Sequence, residues 1–358
     1  MKRILIAPLD WGLGHATRCI PVIRELLRHS CDVVLAGSGN SLHLLKEEFP
    51  QLTTVELPAY NPVYPRTGSM VWAMARQLFK FRTAIQKEHH VLEHLIREHR
   101  IDVVIADNRY GCWSKSVPSI FITHQSNILM PKRFGWLAPL VRFANNRMMS
   151  KFSACWIPDS PGSQSLAGDL ISFGSKPNVQ VEFIGNLSRF TYTGLPTKKY
   201  DVAAVFSGPE PQRSILDDIV TKQLRASNFR YCIVRGLPCA PDSDMQTKTS
   251  REVNFLSGSK LQEVLEQATV VIARSGYSTI MDLAALKCKA IFIPTPGQTE
   301  QEYLAHRLKE KGIVFYMTQA EFDLNKGISE AQHYSGFTGV HSGNHLLLKA
   351  ISKLLTPV

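Results

Sequence analysis

Arg274-Ser275-Gly276-Tyr277 stands between an apolar, β-branched run, 270–273, and a helix-forming run, 277–286. Gly276 lets the backbone approach a ligand, and Ser275, Ser278 and Thr279 add hydroxyls where the first N–H groups of a helix are unsatisfied and its dipole is positive. That combination suits an anion. Helical spacing puts Ser275, Ser278, Thr279 and Asp282 on one face. A carboxylate more than a turn beyond an anion site would repel the anion, so Asp282 is expected to accept hydrogen bonds from hydroxyls such as those of a ribose. On the turn alone, a capped helix with a solvated Asp explains the residues equally well.

A second candidate lies near the start. Asp10-Trp11-Gly12-Leu13-Gly14-His15-Ala16-Thr17-Arg18 separates a strand-like run, 3–8, from an amphipathic helix, 16–28, that turns Ile20, Ile23, Leu26 and Leu27 inward. It matches a dinucleotide fingerprint only in part, because no third Gly follows and bulky Arg18 would press against the adjacent strand, so NAD is not expected. The turn formed by Gly12 and Gly14 can still cradle a phosphate. His15, with an ordinary pKa near 6.5, could take or give a proton, or it could simply cap the helix. Two more polar clusters directly follow apolar strand-like runs: Asp107-Asn108-Arg109 and His124-Gln125-Ser126-Asn127. Ser207-Gly208-Pro209-Glu210-Pro211 likewise follows a strand-like run, 201–206, and feeds a helix ending near Arg225. Asp242-Ser243-Asp244 matches the Asp-x-Asp of metal-dependent sugar transferases, but its polar, Pro- and Thr-flanked surroundings mark a loop and a coincidence.

These clusters need elements to hold them. At 358 residues, two domains are expected. Strand-like runs at 3–8, 32–36, 53–57, 102–106, 119–123, 154–158 and 180–184 alternate with helical stretches, and a second series begins at 201–206 and continues through 229–234, 252–256, 270–273, 290–294 and 313–317. Alternation of this kind gives parallel, doubly wound α/β sheets whose ligands bind beyond the carboxyl ends of the strands. The Gly- and Pro-bearing stretch 185–199 reads as a linker. The expected division is a first domain, 1–190, a second, 200–340, and a C-terminal segment, 341–358, that packs back toward the first.

Hydrophobic residues make up 44% and charged residues 20%, a soluble globular balance, and no run of about 18 uncharged apolar residues could span a membrane. The short apolar start does not make a signal peptide, so a cytoplasmic location is expected. Seven cysteines without C-x-x-C spacing argue against a disulfide framework or zinc site. Of the net charge of +11, the first 150 residues carry +8, which directs that half toward something anionic. Two segments, 69–85 and 130–152, interleave aromatic and apolar residues (Met70, Trp72, Phe79, Phe81; Phe134, Trp136, Leu140, Phe143) with Arg and Lys and almost no acids. They are expected to touch an anionic bilayer peripherally, the alternative being core helices with solvated basic faces. Nucleic acid is not expected, since no binding module accompanies the charge.

Ala273-Arg274-Ser275-Gly276 through Asp282-Leu283-Ala284-Ala285, then Pro294 and Gln301-Glu302-Tyr303, resembles the C-terminal half of glycosyltransferase family 28. Gly12 to His15 resembles that family's N-terminal Gly-His loop, and His124 to Asn127 its His-Glu-Gln-Asn segment. The resemblance spans nearly the whole chain. It implies the GT-B layout, two doubly wound Rossmann-like domains facing across a cleft. It also implies inverting, metal-independent transfer of a hexosyl unit, of GlcNAc type, from a UDP-sugar to a hydroxyl acceptor that can be lipid-linked, with no cofactor besides the donor. By the same resemblance, Ser275, Gly276 and Tyr277 would hold the diphosphate beside Ser207, Gly208 and Arg213. Asp282 would take the ribose, and Gln301 and Glu302 the sugar. Gly12, Gly14, His124 and Asn127 would meet the acceptor. His15 is the candidate base with Asp107 as the alternative, and Arg213 or Arg274 would help meet the leaving charge. The chain departs from the family at Asp282, where Glu is usual, at Gln301-Glu302 in place of Gln-Gln, and at Gln125-Ser126, which leaves sugar and acceptor open. The Gly-Leu-Gly-His-Ala-Thr-Arg loop also resembles the Gly-x-Gly-His-x-x-Arg of UDP-sugar hydrolases of this fold, where His15 would activate water. A non-catalytic nucleotide-sugar-binding protein is the third reading.

Overall fold

The computed structural model describes residues 1–63, 76–173, 177–194, 197–238, 240–241, 243–256, 258–340 and 344–356. Residues 69–75 of the first cationic aromatic segment, Pro196 of the linker, Asp242 and Cys239 lie outside them, as does the side chain of Lys132. The chain divides into two compact units. The first takes in Met1–Val63, the described chain from 76 to Leu187, and the C-terminal segment; the second begins at Ser188 and runs to His341.

In the first unit seven parallel strands, β1 (Arg3–Pro8), β2 (Asp32–Gly37), β3 (Thr53–Glu56), β4 (Val103–Asp107), β5 (Ser119–Ile122), β6 (Ala154–Ile157) and β7 (Gln180–Phe183), lie in the order β3-β2-β1-β4-β5-β6-β7. The helices are α1 (Leu13–Arg28), α2 (Gly39–Glu48), α3 (Leu78–Glu98) and α4 (Ala138–Met149). β1 and β4 are buried along nearly their whole length, which is why Ile4-Leu5-Ile6-Ala7 and Val103-Val104-Ile105-Ala106 are continuous apolar runs and not alternating ones. Leu92, Leu95 and Ile96 of α3 pack into the same cluster as Leu5, Val104 and Phe121. The order reverses between β1 and β4, and the register pairs Pro8 with Asp107. The loop after β1 and the last residue of β4 therefore meet at the switch point of the sheet, where ligands bind in such folds. α1 begins at Leu13, three residues before the amphipathic pattern starts, so His15 sits inside the helix's first turn.

The last helix, α10 (Asn344–Leu355), belongs to this unit. It buries Leu347, Ala350 and Ile351, Leu354 O accepts from Lys2 Nζ at 2.8 Å, and Lys353 pairs with Glu182 of β7.

The second unit repeats the plan with β8 (Tyr200–Val205), α5 (Gln212–Arg225), β9 (Tyr231–Val234), β10 (Asp244–Gln246), β11 (Ser250–Val253), α6 (Gly258–Glu266), β12 (Ala268–Ala273), α7 (Tyr277–Ala285), β13 (Ala290–Phe292), α8 (Thr299–Glu310), β14 (Phe315–Tyr316) and α9 (Leu324–Ala331). The order is β10-β11-β9-β8-β12-β13-β14, parallel except for the edge pair β10–β11. The switch point falls between β8 and β12, which brings the Ser207-Gly208 turn and the 274–277 turn to one edge. Asp244 corrects the loop expectation: it opens strand β10, and Arg251 donates to both of its oxygens, at 3.0 and 2.7 Å. The six described cysteines are buried and free.

Candidate functional site

In the first unit, α1 and the ends of β4 and β5 assemble one polar centre. Asp107 is fully buried at the end of β4. The guanidinium of Arg18, one helical turn after His15, donates to both of its oxygens. His15 Nδ1 lies 2.7 Å from Asp107 Oδ1, and Arg18 Nη1 lies 2.8 Å from Nδ1 of His124, itself buried. Burial alone would raise the Asp107 carboxyl, but the adjacent Arg18 and His15 outweigh it and bring it down to about 2. His15 is lowered from its ordinary value, first by burial and then by the Arg18 charge, with Asp107 opposing both. The arrangement can hold a neutral imidazole beside a permanently ionised carboxylate.

In the second unit, Gly276 is the N-cap of α7, with φ −70° and ψ 142°, and makes no side-chain cap. Ser275 is buried and its Oγ donates to Gln301 O at 2.8 Å, fastening the turn to α8. The amide oxygen of Gln301 accepts from Thr295 N at 2.8 Å, and a methyl group built on Gly276 would lie 4.0 Å from Gln301 Nε2. The Gln301 side chain is thus fixed at its oxygen, with its NH₂ beside the Gly276 turn. Asp282, more than a turn further along α7, accepts from Ser188 Oγ at 2.7 Å, and Arg189 Nε stands 3.7 Å from its other oxygen. Burial raises its pKa, against the pull of Arg189 and Ser188. Ser207 and Gly208 are exposed at the end of β8, and Gly208 has φ +103° with open space around its Cα.

The Glycosyltransferase family 28 C-terminal domain matches residues 238–336, which contain the Gly276 turn, Asp282 and Gln301. An uncharacterized glycosyltransferase of Methanosarcina acetivorans is 24% identical over 337 residues, covering 89% of this chain and 87% of its own. The UDP-N-acetylglucosamine–N-acetylmuramyl-(pentapeptide) pyrophosphoryl-undecaprenol N-acetylglucosamine transferase of Listeria welshimeri is 23% identical, covering 86% of this chain and 84% of its own. The solved glycotransferase of kitacinnamycin superposes with a TM-score of 0.66 at 16% identity, covering 99% of both chains. This chain is a glycosyltransferase with the GT-B fold, and its residues 238–336 match the family 28 C-terminal domain.

Two residues of the transferase stand where the sequence reading did not put them. Asp107, the alternative base, is held as an anion by a two-point contact with Arg18, which pulls its carboxyl below the ordinary value, and its oxygen stands against His15 Nδ1, so it is placed to orient His15. Arg274, offered as a partner for leaving-group charge, is buried and donates to Ile293 O, Pro294 O, Gln212 O and Gln319 Oε1. Burial without a carboxylate lowers it to about 10, and its fork braces the turn from behind.

The other residues fall as follows. Arg213 donates to Arg235 O and pairs with Glu210 at the start of α5. Tyr277 is buried at the start of α7. Glu302 Oε1 accepts from Gly297 N at 2.8 Å, bracing the loop before α8. Asn127 donates to Asp169 O, a loop-fixing contact. Gly12 precedes α1 with φ +118°, and Ser41 Oγ donates to its carbonyl; Gly14 O accepts from Thr17 Oγ1. Arg18 was missed as a site residue. Its i+3 spacing from His15 on a helix was the available signal.

Gly276→Ala tests whether the turn is a close-approach site. Its φ suits any residue and the added methyl makes only ordinary contacts, so the melting temperature should be unchanged while UDP affinity falls. Unchanged affinity in a calorimetric titration would place the ligand elsewhere.

Proposed function

We propose that the transferase moves a hexosyl unit, GlcNAc-type, from UDP to an acceptor hydroxyl with inversion and without a metal. The observation that carries the donor half is the Gly276 turn: a helix N-terminus opened by a glycine cap, with the Gln301 amide beside it and Asp282 more than a turn along the same helix. Diphosphate fits the N-terminus and ribose hydroxyls fit Asp282, which would exchange its bond from Ser188 for theirs. The Listeria relative is named for a UDP-N-acetylglucosamine donor, which supports the choice of nucleotide and sugar. On the acceptor side His15 takes the hydroxyl proton, the oxygen attacks the anomeric carbon, and the electron pair of the breaking bond leaves on UDP.

The acceptor is proposed to be lipid-linked. The Listeria relative's acceptor carries undecaprenol, and in this chain Leu78, Phe79, Trp136, Leu140 and Phe143 are exposed among Lys80, Arg82, Arg133 and Arg147. Such a surface suits peripheral contact with an anionic bilayer at the cytoplasmic face. Among the described residues no helix is long and apolar enough to cross a membrane.

The test is titration with UDP and a panel of UDP-sugars, followed by product analysis with bacterial lipid extract as acceptor. Asp282→Ala should weaken UDP binding by about tenfold or more, the loss of hydrogen bonds to a charged group; unaltered binding would remove the ribose assignment. The Gly-x-Gly-His-x-x-Arg spacing, with Arg18 inside the centre, favours hydrolysis as the second reading. Consumption of a UDP-sugar without acceptor would assign it, and binding without turnover across the panel would leave a nucleotide-sugar-binding protein.

A further inference from the structure

Arg18 can only donate hydrogen bonds, and this fixes the protons of the imidazoles around it. Its Nη1 lies 2.8 Å from His124 Nδ1, so that nitrogen must present a lone pair, and the proton of the neutral His124 ring sits on Nε2. His15 is the opposite case. Its Nδ1 is approached by Asp107 Oδ1 at 2.7 Å and by Arg18 Nη2 at 2.9 Å, and it cannot serve both. A bare nitrogen lone pair against a carboxylate oxygen at 2.7 Å would be repulsive, whereas Arg18 Nη2 already has Asp107 Oδ1 as its acceptor. Nδ1 of His15 therefore carries the proton and donates to Asp107, and its Nε2 carries the lone pair.

We propose that Arg18 is the positioning residue of this centre, holding His15 as an Nε2 acceptor and His124 in its Nε2–H form, so that the His15 ring offers an acceptor substrate a base. The assignment deepens the reading of His15 as the base and rests on it. Arg18 also cancels the Asp107 charge next to His15, which a bare His–Asp pair would not do. The groups that face His15 are Arg18 from α1, Asp107 from β4 and His124 from the loop after β5; the Cys19 thiol stands 3.9 Å from Asp107. In the transfer step the hydroxyl proton moves to His15 Nε2.

Long-range proton–nitrogen NMR of the full chain, labelled in histidine and assigned with His15→Gln and His124→Gln, reads both tautomers directly. The expected result is Nδ1–H for His15, the minor form of free histidine, and Nε2–H for His124. An Nε2–H ring at position 15, or an Nδ1–H ring at position 124, would overturn the proposal. In Arg18→Gln the uncompensated Asp107 should favour the charged His15 ring and move the acid limb of kcat/KM to higher pH, and Arg18→Lys, which keeps the charge, should restore it. An equal loss at every pH in Arg18→Gln would reduce Arg18 to a structural residue. The spectrum of the parent protein is independent of turnover, so failure of His15 as the base and failure of the tautomer assignment give different results.

Discussion

His15→Asn is expected to lower turnover by about 10²–10⁴-fold, the usual contribution of a positioned general base, while leaving UDP affinity unchanged. Asn is the informative substitution because its amide N–H can take the place of Nδ1 toward Asp107, keeping that carboxylate satisfied while removing Nε2. Steady-state rates with UDP calorimetry alongside would check it, and normal turnover would remove His15 as the base. The parent enzyme should keep its activity to pH values below 6.5, since burial and Arg18 both disfavour the imidazolium and the working form is neutral. The stability sign follows. With the folded value depressed below the unfolded 6.5, the unfolded chain binds the extra proton first, so this group's contribution is present above 6.5 and falls as pH drops from there toward the folded value.

Glu88→Gln is expected to be the most destabilising single exchange in the first unit. Glu88 and Arg109 are both fully buried; the carboxylate receives Arg109 Nη1 on one oxygen, and the Tyr60 hydroxyl at 2.7 Å and Gly111 N at 2.9 Å on the other. Arg109 in turn donates to Pro8 O, Pro58 O and Ser38 Oγ, tying together the ends of three strands around the His15 loop. Gln preserves the shape but removes the paired counter-charge of a buried guanidinium, which costs about 3–5 kcal/mol. For a unit of this size that corresponds to a melting temperature lower by about 6–20 °C. Calorimetry would show it, and a change under about 2 °C would mean that the amide or water replaces the charge.

The alternation of strands and helices and the position of both Gly turns were legible in the sequence, because each is written in local periodicity and in turn residues. The roles of Asp107, Arg18 and Arg274 were not. Asp107 and Arg18 are 89 residues apart in sequence, and only the pairing of β1 with β4 brings them together. Their bidentate contact turns a candidate base into a fixed anion. Arg274 reads in sequence as a cation beside an anion site, yet its partners are carbonyl oxygens, which leave no trace in residue types. Asp282 falls between: its helix face was readable, its contact with Ser188 was not.

The helix α10 has a consequence for how the molecule is made. Its apolar face covers the first unit, yet it is translated after the whole of the second unit. On the ribosome the second unit is a continuous segment, able to fold as soon as it emerges, while the earlier-made unit waits for its last piece with the seat of Leu347, Ala350 and Ile351 open to water. A nascent chain therefore presents a sticky apolar seat for as long as it takes to synthesise some 150 residues, on the order of ten to thirty seconds at about 5–20 residues per second. That interval is when a chaperone would have most to do.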